Sequence, residues 1–148
     1  MNVLDKMHEY QTIHDIKDQC IANTQYLYDV IKHNTNLKVK AKAVFVVHDV
    51  TICHGHLCLE VDGKIIDPSY QFCKLDGALY TPSFKVLRKV LVLKHGLDLH
   101  SHLKPLLETH LKFKKYADDI NNGGLLLCCK DYYDAQADYI EGITSPHS

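Results

Sequence analysis

The sequence predicts an α+β fold in which N-terminal helices pack on an antiparallel β-sheet and further helices follow it. Three observations lead there. Apolar residues recur at three- and four-residue spacing before residue 34 and again after residue 101, as on helix faces. Between those stretches, residues 37–47 and 56–61 alternate in character, as half-buried strands do. Asp62-Gly63 supplies the two positive-φ positions of a type I′ turn, and a two-residue loop joins antiparallel strands.

The elements follow in order. Val3, Leu4, Met7, Tyr10 and Ile13 place a short amphipathic helix over residues 2–14. Residues 15–19 form a polar connection, with Asp18 the predicted N-cap of a second helix from Cys20 to His33. Asn34 and Asn36 end it. Residues 37–47 make a long strand whose Lys38, Lys40 and Lys42 form a solvated face that also discourages edge pairing. His48-Asp49 reads as a turn or bulge before Val50-Thr51-Ile52-Cys53, and the hairpin of residues 56–67 follows. Phe72 to Tyr80 reads as loop, with Asp76-Gly77 a second turn, and residues 84–91 as a short helix or irregular segment. A firmer helix runs from Ser101 to about Ile120, with Pro105 in its first turn. Its inner stripe is Leu103, Leu106, Leu107, His110, Leu111 and Phe113. Asn121-Asn122-Gly123-Gly124 stops it. Residues 125–129 read as a buried strand, and residues 131–141 as a last helix with Tyr132, Ala135, Tyr139 and Ile140 on one side.

The 148 residues are expected to form one domain, 1–148, ending in a flexible tail over 142–148. A net charge of −1 gives no electrostatic case for nucleic acid or an anionic membrane as partner. No apolar run approaches the ~20 residues of a membrane span, and no signal-peptide core opens the chain. Six cysteines in that setting read as reduced thiols of a cytoplasmic protein. Nothing in the sequence sets the oligomeric state.

The hairpin carries the chemistry. A loop at 62 and 63 pairs Val61 with Lys64, Leu59 with Ile66 and Cys58 with Asp67. His56, Cys58 and Glu60 then share a face with Ile65 and Asp67, and His56 lies diagonal to Asp67, within side-chain reach. Cys20 falls in the first turn of its helix, where unpaired N–H groups and the positive dipole end favour a thiolate. A thiol attacks a carbonyl well only as thiolate; an imidazole keeps the sulfur ionised and protonates the leaving group, and a carboxylate fixes the ring. Cys20, His56 and Asp67 are therefore the catalytic candidates. The plainer alternative for Cys20 is a small buried thiol.

Gln19-Cys20-Ile21-Ala22-Asn23, followed by His56-Leu57-Cys58-Leu59-Glu60-Val61-Asp62-Gly63 and Ile66-Asp67-Pro68-Ser69, resembles the transglutaminase-like branch of the papain-like cysteine peptidases. The resemblance spans roughly residues 15–72 and implies a papain-like fold with Cys20 as nucleophile, His56 as base and Asp67 as orienting acid. Family members often carry an aromatic residue two positions after the His; this chain has Cys58 there. The implied activity is hydrolysis of an amide bond through a thioester, on a peptide, protein or amide-containing small molecule, with no cofactor. Hydrolysis is favoured over cross-linking because a domain this small lacks the added modules of large transglutaminases.

An oxyanion hole is also needed. The Cys20 N–H is one donor; the side-chain amide of Gln19 or Gln11 is a candidate second. His54 is a site-lining or edge residue and the fallback base, Cys58 lies beside the triad face, and Tyr70 closes the pocket or packs. Two rivals remain open. One is an inactive binding module on the same fold. The other is zinc held among Cys53, His54, His56, Cys58 and Cys73, against which the spacing argues.

Overall fold

The computed structural model describes residues 2–48, 54–75, 77–95, 100–123 and 129–142. Helix α1 (Val3–Ile13) starts at Asn2, whose Oδ1 accepts the Asp5 N–H at 2.8 Å. Helix α2 (Cys20–Asn34) follows. Strands β1 (Val39–Val47), β2 (His54–Val61) and β3 (Lys64–Ile66), the short helix α3 (Tyr70–Cys73) and strand β4 (Leu79–Thr81) come next. Helices α4 (Phe84–His95), α5 (His100–Asn121) and α6 (Lys130–Glu141) complete the order. The architecture is α+β around one antiparallel sheet of order β3-β2-β1-β4.

The hairpin has the predicted register: Val61 pairs with Lys64 and Leu59 with Ile66, and Asp67 follows directly. Asp62 (φ 49°) and Gly63 (φ 83°) both occupy the left-handed region that this turn demands. The pleat then sorts the sheet's two faces. On the odd-numbered face Ala41, Leu57, Leu59 and Val61 join Cys20, Tyr26 and Leu27 of α2, Ala117 and Ile120 of α5, and Ile140 of α6 in the main core. On the even-numbered face Val44, Val46 and Cys58 pack with Phe72 of α3. The middle of β1 and β2 is therefore buried on both sides, and only the ends of the strands reach water.

The α5 helix crosses the sheet closely. A Cβ on Gly55 would stand 2.9 Å from Thr109 Cγ2, so glycine is what lets α5 approach β2 there. At its far end Asn121 accepts the Ala41 N–H and donates to the Ala41 carbonyl, replacing the partner strand that the short β4 does not extend to supply.

Several sequence expectations are corrected. Asp18 does not cap α2; its φ of 60° is left-handed, and the N-cap is Gln19, with no side chain bonded to the helix end. Residues 70–81 are not plain loop but hold α3 and β4, each too short for periodicity to reveal. Residues 84–95 are helical, with Ser83 Oγ accepting the Val86 N–H. Pro105 lies inside α5, because the helix begins earlier, at His100. Ile13 and Leu111, assigned to inner faces, are each 62% exposed. In α6 the inward residues are Gln136, Ala137 and Ile140, and Ala135 is exposed. Residues 49–53, Gly96, the expected strand over 125–128 and the tail beyond Gly142 lie outside the described residues. Among those residues no helix is long and apolar enough to cross a membrane.

Candidate active site

The start of α2, strand β2 and the turn after β3 converge on one cluster. His56 projects from the even-numbered face of β2 and is 2% exposed. Its Nε2 stands 2.9 Å from both carboxylate oxygens of Asp67. The Cys20 sulfur also interacts with this ring, and the two side chains line one cleft. Burial lowers the ring's pKa, but the hydrogen bonds to Asp67 and Cys20 and the charges of both outweigh it and raise it to about 9. Such a ring keeps its proton at neutral pH.

Asp67 is saturated. Besides His56, its Oδ1 accepts the Ser69 N–H at 2.9 Å and its Oδ2 accepts the Tyr80 hydroxyl at 2.8 Å. Tyr80 pairs with Val46 across β4 and β1, as His56 pairs with Val44 across β2 and β1, so the sheet pleat brings both rings over Asp67. The carboxylate and its burial push the Tyr80 hydroxyl's pKa well up, so it remains a donor. Phe72 closes the space beside the imidazole edge-on, at 4.9 Å between ring centres.

The loop carrying Asp67 is itself held from behind. Gln11 of α1 donates to the Pro68 carbonyl and to Gln136 Oε1, and accepts the Tyr70 N–H. Asn23, one turn into α2 from Cys20, donates to Ser69 Oγ and accepts from Gln136 Nε2 and the Tyr132 hydroxyl. Gln11, Asn23 and Gln136 are all buried, so each amide must find these partners or lose hydration uncompensated. With its N–H groups so engaged, Gln11 has none to turn towards the thiol.

In front of the ring lies a cleft of about 250 Å³ lined by Cys20, His56, Ile21, Phe72, Phe113 and Gln71, with Asp18, His54, Gly55 and Lys112 also on its wall. A larger open groove of about 920 Å³ lies between α2 and the hairpin and touches none of the three. Its Glu60 and Asp62 are already bonded, to Lys42 Nζ and to the Lys38 N–H. Size does not mark the chemistry here; the convergence of Cys20, His56 and Asp67 does.

The other sequence candidates fall in different places. His54 lines the cleft, stacked on His48 with 5.6 Å between centres. Burial and the neighbouring His48 and His56 lower its pKa, with Asp18 opposing. Gln19 caps α2 through its carbonyl, which accepts the Asn23 N–H, and is not part of the cleft wall. Cys58 is fully buried in the even-face core, and burial with the charges of Asp67 and Cys20 pushes its thiol well up. Tyr70 rests on His8 at 5.5 Å between rings, away from the cleft wall. Glu60 pairs with Lys42 at 2.6 Å near the hairpin end, as a solvated residue. Sequence reasoning missed Tyr80, Ser69, Phe72 and Gln71, which come from segments it read as loop or did not single out. Comparison with protein-family models, with curated proteins and with solved structures finds no match for this chain.

Proposed function

We propose that this protein is a cysteine-dependent acyl-transfer enzyme, a peptidase or amidase, with Cys20 as nucleophile, His56 as acid and base, and Asp67 as the residue orienting the ring. The observation that carries the reading is the convergence of Cys20 and Asp67 on the His56 ring, with Cys20 on a cleft beside it and the bonded carboxylate buried behind. A helix start bearing the thiol, a strand bearing the His and an Asp directly after the next strand, in that chain order, resemble the transglutaminase-like branch of the papain-like enzymes.

In the proposed reaction the Cys20 sulfur bonds to the carbonyl carbon and the carbonyl oxygen takes the negative charge. Collapse of that intermediate breaks the C–N bond, and the nitrogen leaves as amine with the proton His56 had held. Water then attacks the thioester, giving its proton to His56, and the C–S bond breaks to release the acid and restore the sulfur. One amide and one water become one acid and one amine. The cleft falls below the ~300–1,000 Å³ that usually encloses a small ligand, which favours a longer chain laid across it with one group inserted.

Alkylation by iodoacetamide at pH 6 tests the nucleophile. Cys20 should react faster than Cys58 and Cys73. Burial, with the charge of Asp67 adding to it, pushes the Cys58 thiol well up, and the more exposed Cys73 spends its S–H on the Ser69 and Asp67 carbonyls beside the Asp67 charge, which also favours the neutral thiol. The advantage should vanish in His56→Ala. Reaction at Cys20 no faster than at those two thiols overturns the assignment.

A further inference from the structure

We propose that the side-chain amide of Gln71 is the second donor of the oxyanion hole, acting with the Cys20 backbone N–H. The inference rests on the acyl-transfer reading of Cys20 and names a residue that reading leaves unassigned.

Three observations converge on it. Gln71 lines the same cleft as Cys20 and His56, whereas Gln19 does not and Gln11 is committed to the Asp67 loop. The Gln71 amide is oriented: its Oε1 accepts the Asp18 N–H at 3.1 Å, while its Nε2 bonds no described residue. The amide is thus held by its acceptor end with both N–H groups free to donate. The backbone is bent to make this contact. Asp18 stands at φ 60°, in the left-handed region, and in that conformation presents its N–H to the Gln71 amide oxygen.

The other half of the hole is equally uncommitted. No side chain caps α2, so the N–H groups of Cys20, Ile21 and Ala22 have no partner within the helix or from a capping side chain. An oxygen that becomes negative beside Cys20 would meet the N–H of that residue from the helix and the Gln71 amide from α3. Both donors are fixed before reaction, which is what makes such donors effective. Cys20 and Gln71 lie far apart in sequence, and the Asp18–Gln71 bond joins the Asn23–Ser69 bond in drawing α3 to the start of α2.

Two reagents separate an oxyanion donor from a merely structural residue. Iodoacetamide alkylates sulfur at a saturated carbon and passes through no oxyanion. p-Nitrophenyl acetate acylates sulfur through a tetrahedral oxyanion, then expels p-nitrophenolate with the electron pair of the broken C–O bond. In the full chain, Gln71→Ala should slow Cys20 acylation by about 10²–10³-fold and leave its alkylation rate within about threefold of the unmodified protein. Acylation at an unchanged rate in Gln71→Ala overturns the inference and leaves the nucleophile standing. Equal loss in both reactions also overturns it, making Gln71 structural, as does a loss seen in Gln19→Ala instead. If Cys20 of the unmodified protein takes no acetyl group and its alkylation is indifferent to His56→Ala, the acyl-transfer reading itself fails, and this inference with it.

Discussion

The two sides of the His56 ring are built on opposite terms. Behind it Asp67 accepts from three donors, one of them reaching both of its oxygens, and the loop that carries it is pinned by buried bonds of Gln11, Asn23, Gln136 and Tyr132. In front, the start of α2 has no capping side chain, Gln71 keeps a free amide nitrogen, and a cleft stands open. Saturation is expected where geometry must not change; uncommitted polarity is tolerable only where water, or a reactant, supplies the missing partner. The contrast assigns each side a different vulnerability. Changes at the rear should cost the fold, and changes at the front should cost reaction rate with the fold intact.

Asp67→Ala is the severest way to break that contrast. It strands the His56 Nε2–H, the Tyr80 hydroxyl and the Ser69 N–H, all turned towards a buried space. Removing one partner of a buried charged pair costs about 3–5 kcal/mol, because the remaining charge keeps its desolvation without its attraction. Urea unfolding should show that loss; a cost under about 1 kcal/mol would mean that water already reaches the carboxylate. Gln136→Ala should come next, at about 1–3 kcal/mol, since it leaves Gln11 Nε2 and Asn23 Oδ1 each short of a partner deep in the core. It also shows whether the rear network steadies His56: if so, the iodoacetamide rate at Cys20 falls along with the unfolding midpoint.

How much of this was legible in the sequence divides along the same line. The hairpin was readable because a two-residue Asp-Gly turn and a period of two leave a single register, which put His56 and Asp67 together before any coordinates. Cys20 at a helix start was readable from the apolar spacing that follows it. The network behind Asp67 was not: the Asn23–Gln136 bond joins residues 113 apart, and a fully buried glutamine looks, in sequence, like a surface residue of α6. The same blindness placed Ala135 on the inner face of α6. Tyr80 and Gln71 sit on elements of three and four residues, below the length at which periodicity carries information. Asp18 was the intelligible error. Aspartate is a good N-cap, but here its backbone turns left-handed and gives its N–H to Gln71 instead.

The mildest test leaves the chain's conformation alone and varies only pH. The His56 pKa is raised in the fold to about 9 from the ordinary 6.5, so its stabilisation is complete below 6.5, where folded and unfolded chains both carry the proton. Above 6.5 the unfolded imidazole loses that proton while the folded ring keeps it, and where the ring draws the proton from solvent, stability falls as pH rises, by at most about 1.4 kcal/mol per pH unit from this group. The window is clean up to about pH 8, where unfolded cysteines begin to ionise. His54 and His110, both lowered by burial, act below 6.5 and with the opposite sign. The urea midpoint should therefore decline between pH 6.5 and 8 in the unmodified protein and flatten in His56→Gln, which keeps a polar side chain but cannot titrate. Equal slopes in the two proteins would mean that the ring takes up no proton from solvent on folding, either because it is neutral or because its proton is the one the Cys20 thiol gave up, and the iodoacetamide rate at Cys20 separates those two cases.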